Sequence, residues 1–222
     1  MKSAVSTVPT TADAQEYWSH HIMTREMLDL YLGTRAAPYR DWAIEGIAQF
    51  DRHDVVLEAG CHIGVLLDRI QALKGVRVAY GIDANEAAVV AAQARGLTAT
   101  VGTIPDCLGR FTDASVDVIV SSYCLSYIDP LDLPFTLAEL LRIARQGIVI
   151  VEPMAGGDVE EEGGRDGSYV EWRHDYLAGF DDAVDQSRPQ LRPPWTVEMT
   201  RFAKGPYAGI NGMVVAKKIY AQ

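Results

Sequence analysis

Residues Val55–Gly64 read V-V-L-E-A-G-C-H-I-G, an apolar run that ends in a carboxylate and is followed by two glycines four residues apart. The run has the character of a buried strand, and the glycines that of a tight turn. Gly60 and Gly64 can adopt backbone conformations closed to other residues, and they let a ligand approach without meeting a Cβ atom. Beyond Gly64 the segment V-L-L-D-R-I-Q-A-L carries its apolar residues at helical spacing. The turn therefore opens onto a helix whose first N–H groups lack intrahelical partners, which is the chemistry of a nucleotide-type cofactor cradle.

Two cofactor classes use such a cradle. A dinucleotide site requires G-x-G-x-x-G, so that a pyrophosphate can sit against the helix N-terminus. Here the turn is G-C-H-I-G, with His62 where the second glycine would allow that approach. The pattern instead resembles the first motif of the class I S-adenosylmethionine-dependent methyltransferases, matched by Glu58, Gly60 and Gly64 with Cys61 inside the turn. The resemblance implies S-adenosylmethionine as cofactor. Glycine often occupies the middle position in that family, so His62 is a departure.

The next apolar run, V-R-V-A-Y-G-I-D, ends in Asp83. One strand-helix-strand unit after the turn, a carboxylate at this strand end can accept hydrogen bonds from both ribose hydroxyls of an adenosine. Ala84 is small enough to let an adenine ring lie flat. Asn85 is placed to cap the helix E-A-A-V-V-A-A-Q-A-R, which Gly96 ends. The third strand, L-T-A-T-V, leads into Gly102, Thr103 and Ile104. In the resembled family a carboxylate or amide often stands near this point to bind the adenine amino group; here the Thr103 hydroxyl, or the Ile104 N–H together with a water, is expected to serve. The fourth strand, V-D-V-I-V-S-S, runs into Tyr123. The resemblance places this strand end beside the transferred methyl, making Ser121, Ser122 and Tyr123 candidates.

Pro134 opens an amphipathic helix, and G-I-V-I-V-E-P reads as a fifth strand. Strands and helices alternate from 55 to 151, whereas W-T-V-E-M-T-R-F and G-M-V-V-A-K-K-I, within 195–219, have no helix-length segment between them. The expected fold is α/β: a doubly wound, mostly parallel seven-stranded sheet with a terminal antiparallel hairpin and an N-terminal helical cap. One domain is expected over 1–222, divided into the cap (1–50), the cofactor-binding core (55–151), a substrate insert (154–194) and the hairpin (195–219). Residues 1–12 read as a loose leader. The cap is expected to hold one helix from an N-cap at Asp13 to near Gly33 and another over about Tyr39–Phe50. Tyr17, Trp18 and Trp42 are open to either core packing or substrate contact.

The insert begins with a glycine-rich acidic stretch expected to be a surface loop or a lid. It continues Y-V-E-W-R-H-D-Y-L-A-G-F, which as a helix sets Trp172, Tyr176 and Phe180 on one face. His174 lies off that stripe and is the first candidate for a general base, with His20 and His21 behind it.

The net charge of -10 without a basic cluster argues against a nucleic-acid partner. The absence of an apolar run of about 20 residues argues against a membrane span. Cys61, Cys107 and Cys124 have no C-x-x-C spacing and suit reduced thiols in the cytoplasm. Neither a Mg²⁺-type carboxylate set nor zinc spacing is present, so the expected reaction is metal-free. The resulting expectation is methyl transfer to a small-molecule acceptor, with O-methylation of a hydroxylated or sugar-like metabolite favoured over N- or carboxyl-methylation. A dinucleotide-dependent oxidoreductase and a non-catalytic cofactor-binding module are the alternatives.

Overall fold

Strand β1 (Val55–Ala59) pairs in parallel with both β2 (Val78–Asp83) and β4 (Val116–Ser122), and so lies inside the sheet. The computed structural model describes residues 10–22, 24–33, 37–154, 160–163, 170–186, 195–201 and 211–219. With β3 (Ala99–Val101), β5 (Ala144–Pro153), β8 (Trp195–Arg201) and β9 (Asn211–Lys218), the seven strands lie in the order β3-β2-β1-β4-β5-β9-β8. β9 runs antiparallel to both β5 and β8. This is the expected doubly wound sheet with its terminal hairpin.

The central strands are apolar on both faces because helices cover both. Leu57 and Ile119 face a core shared with α6 (Ile104–Leu108), α7 (Leu133–Ile143) and α8 (Tyr176–Gln186). Val56, Val118 and Val120 face the opposite core, shared with α3 (Ala37–Ile47), α4 (Val65–Gln71) and α5 (Glu86–Ala94). Each such fully buried side chain contributes on the order of 2 kcal/mol of transfer free energy.

The N-terminal cap differs from expectation. Its first helix is broken into α1 (Thr11–His20) and α2 (Arg25–Leu32), because His21 leaves the helical region at φ -63° and ψ 121°. The N-cap is Thr10 rather than Asp13; Asp13 is the third helical residue and closes a reciprocal capping box with Thr10. Residues 1–9, most of the expected leader, lie outside the described residues, as do most of the glycine-rich acidic stretch (155–159 and 164–169) and the hairpin connection (202–210).

The insert also differs. Val170–Arg173 is a strand (β7), paired antiparallel with Glu160–Gly163 (β6), and α8 begins only at Tyr176. Trp172, His174 and Tyr176 are buried while Glu171, Arg173 and Asp175 are partly exposed, an alternation with the period of a strand.

Candidate active site

At the carboxyl end of β1 the chain turns through Gly60 at φ 80° and His62 at φ 47° before α4 begins. A Cβ on Gly60 would lie 2.5 Å from the Cβ and 2.6 Å from the Sγ of Cys124, so only glycine passes beneath the end of β4. The backbone N–H groups of Gly60 and Cys61 donate to the Ile82 carbonyl at 2.8 and 3.0 Å, tying the turn to β2. Arg95 braces it from the far side, donating to the Ile63 carbonyl at 2.8 Å and pairing with Asp68 at 3.0 Å.

These elements floor a cavity of about 300 Å³. Nine of the expected site residues line it: Glu58, Gly60, Cys61, Asp83, Ala84, Gly102, Thr103, Ile104 and Tyr123. Gly64, Ser121 and His174 are not among its lining. Gly64 is the N-cap of α4, and a Cβ there would lie 2.4 Å from Leu97 Cδ1, so its glycine serves close packing of α4 against the α5 region. Ser121 is fully buried and donates to Glu152 Oε1 at 2.9 Å; its neighbour Ser122 lines the cavity instead. His174 is buried with Nε2 at 3.2 Å from the Leu125 carbonyl, which fixes Nε2 as the protonated nitrogen. Burial pushes its imidazole down to about 4, so it stays neutral across the physiological range.

The cap supplies further walls, of which Trp18 was a candidate from sequence and Tyr39 and Arg40 were not. Arg40, on α3, is buried beside it, and Trp18 of α1 reaches it from the cap, with its ring 4.9 Å from Tyr127. Tyr39, next to Arg40 on α3, packs on Tyr123 at 4.5 Å. Tyr123 has φ 56°, the left-handed region, which turns the chain sharply after β4. The turn is held by Glu152, whose carboxylate accepts the N–H groups of Cys124 at 2.8 Å and Leu125 at 3.0 Å. Burial nevertheless raises Glu152 to about 7.

Two carboxylates face the cavity. Burial and the nearby charge of Asp83 hold Glu58 well above the usual carboxylate range, with Arg40 opposing. Glu58 Oε2 has no hydrogen-bond partner among the described residues. Asp83 is raised by burial, against the N–H groups of Asn85 and His62 that donate to it at 2.9 and 2.7 Å. Such a site favours a ligand with positive charge at one end and hydroxyls at the other. At the adenine end expected from sequence, the Thr103 hydroxyl donates to Asp106 Oδ2 at 2.7 Å, which brings in a carboxylate three residues further on. Among the described residues no group of three or more His, Cys, Asp or Glu is arranged to hold a metal ion, and no helix is long and apolar enough to cross a membrane.

The strand order, the terminal hairpin and the cavity at the carboxyl ends of β1, β2 and β4 define the fold of the class I S-adenosylmethionine-dependent methyltransferases. Solved structures share it. A SAM-dependent methyltransferase from Leishmania major superposes with a TM-score of 0.68 at 16% identity, over 94% of this chain and 82% of that one. Geranyl diphosphate C-methyltransferase from Streptomyces coelicolor gives 0.67 at 12% identity, over 96% and 100% of the two chains. The 1,6-didemethyltoxoflavin-N1-methyltransferase of Burkholderia thailandensis gives 0.66 at 16%, over 95% and 87%. A sequence family described as methionine biosynthesis protein MetW matches residues 46–156, half of the chain, and the chain belongs to that family. No curated protein matches the chain by sequence.

Proposed function

We propose that this chain binds S-adenosylmethionine at the carboxyl ends of β1, β2 and β3 and transfers its methyl group to a small-molecule acceptor. The observation that carries the proposal is the Asp83 carboxylate, held by His62 and Asn85 in a cavity that Glu58 and Arg40 also line. The residues fit the cofactor along its length. Asp83 would take the ribose hydroxyls; Thr103, Ile104 and Ala84 would border the adenine. The unpartnered oxygen of Glu58 would accept from the ammonium group, and Arg40 would pair with the carboxylate. When bound, the cofactor supplies an electrophilic methyl on a sulfonium that leaves as a neutral thioether.

The work left to the protein is alignment and exclusion of water. Tyr123, Cys124 and Tyr127 form the wall after β4, and Glu152 and His174 hold that wall from behind through the Leu125 backbone. In this reading His174 positions the turn; Tyr123 is the candidate that faces the acceptor.

For the acceptor we infer a small hydroxylated ring, planar or sugar-like, because Trp18, Tyr39, Tyr123 and Tyr127 offer ring faces to pack on and phenol groups to orient a hydroxyl. An amine acceptor is the second reading. It is favoured by the imidazoles, since burial lowers both His62 and His174 and weakens them as bases, and an amine in its free form needs no base. A location in the cytoplasm is part of the proposal and is supported by three free cysteines. The test is incubation with methyl-labelled cofactor and panels of hydroxylated and amine metabolites, with products identified by mass. Label in hydroxylated products supports the first reading, label in amines the second. Cofactor binding without transfer to any acceptor would favour a binding module.

A further inference from the structure

Asn85 does more than cap a helix. Its side chain is 4% exposed, and every polar atom on it is bonded. Oδ1 accepts the Ala88 N–H at 2.9 Å, which caps α5. Nδ2 donates to the Trp18 carbonyl at 3.0 Å and to the His21 carbonyl at 2.7 Å, across 67 and 64 residues of chain. Its backbone N–H donates to Asp83 Oδ1. The assignment of the amide is unambiguous, because the reverse orientation would set an oxygen against two carbonyls. The two carbonyls flank the end of α1: Trp18 lies in its last turn and also accepts the His21 N–H at 3.2 Å, and His21 is the residue that leaves the helix.

α1 is the roof of the cavity, contributing Ala14, Gln15 and Trp18 to its lining. Its other end is held by the Thr11 hydroxyl, which accepts the Asp129 N–H at 2.7 Å. The cavity, of about 300 Å³, is partly open, and α1 borders the side past which a ligand of cofactor size would enter and leave. The hydrogen bonds that hold the roof therefore govern access. One of the two anchors is on the residue whose N–H also orients the carboxylate that would bind ribose.

We propose that Asn85 is a positioning residue that couples closure of the α1 roof to occupancy of the Asp83 end of the cavity, and so sets the rate at which cofactor and demethylated product leave. The proposal rests on the cofactor reading above. Ribose engagement would add to the hold that the His62 and Asn85 N–H groups already place on Asp83, Asp83 holds the Asn85 backbone, and the Asn85 amide holds the end of α1.

Asn85→Asp separates this role from helix capping. It keeps the oxygen that caps α5 and loses both donors to α1. The experiment combines stopped-flow dissociation of S-adenosylhomocysteine with hydrogen exchange of residues 11–22 and 86–94 in the ligand-free protein. The expected result is faster exchange in 11–22 with 86–94 unchanged, and dissociation faster by about tenfold or more. Asn85→Ala, which loses the cap as well, should add faster exchange in 86–94. Unchanged dissociation in Asn85→Asp, with wild-type protein binding normally, would overturn the coupling. Unchanged exchange in 11–22 would overturn the anchor itself, with or without ligand. Wild-type protein that fails to bind S-adenosylhomocysteine would overturn the cofactor reading and the coupling with it, while the exchange data would still judge the anchor.

Discussion

The carboxylate of Asp83 accepts the backbone N–H of His62 at 2.7 Å, joining the glycine turn after β1 to the acidic end of β2. The two features that the sequence places 21 residues apart are thus one structure, and the ribose carboxylate is oriented before any ligand arrives. Asp83→Asn removes the charge and sets an NH₂ against one of two N–H donors. Because burial raises the wild-type carboxyl, the neutral amide should leave folding intact while cofactor affinity falls by roughly 10- to 100-fold. Calorimetric titration beside a thermal melt reads both; unchanged affinity would remove Asp83 from the site.

Gly60 lies at φ 80° under Cys124, so Gly60→Ala meets two costs, a left-handed backbone and a clash. The first is about 1–2 kcal/mol. The second is relieved by removing the opposing Cβ. Cys124→Gly in the Gly60→Ala background should therefore recover part of the lost stability, measured as a non-additive pair in urea unfolding. Strict additivity would mean that the two residues do not meet.

Glu152 carries a pH signature. Its ordinary value of 4.5 is raised to about 7 in the folded protein, so the native state favours the protonated acid. The stability this contributes is complete below 4.5 and is lost as pH rises through about 7, at most roughly 3 kcal/mol. Glu152→Gln cannot titrate and keeps an acceptor for Cys124 and Leu125. Between pH 5 and 8 the wild type should lose urea stability relative to this variant; parallel curves would show that Glu152 is ionised at both ends of the range.

His174, held at about 4, should leave no mark on the rate profile between pH 5 and 8. His174→Gln retains a donor for the Leu125 carbonyl and should shift the whole profile down or leave it, without changing its shape. A step near neutral pH that disappears in the variant would restore His174 as the base.

The sheet was legible because its strands are apolar runs ended by glycine or a carboxylate, a pattern that burial on both faces demands. Glu58, Gly60, Asp83 and Tyr123 could be placed because each stands at such a strand end. The insert was misread because Trp172, Tyr176 and Phe180 fit a helical stripe, while the alternation of Trp172, His174 and Tyr176 fits a strand equally well and is the one that governs up to residue 174. Arg40 was not legible, since an arginine amid the apolar residues of α3 gives no sign in sequence that the helix crosses a cavity. The Asn85 bonds to Trp18 and His21 span too much chain for any local pattern to announce them.

Whether the cavity takes S-adenosylmethionine is decided by isothermal titration of the purified protein with S-adenosylmethionine, S-adenosylhomocysteine and NAD in parallel. Saturable binding of the first two and none of NAD is the expected result. Binding of NAD alone, or of none of the three, would contradict it.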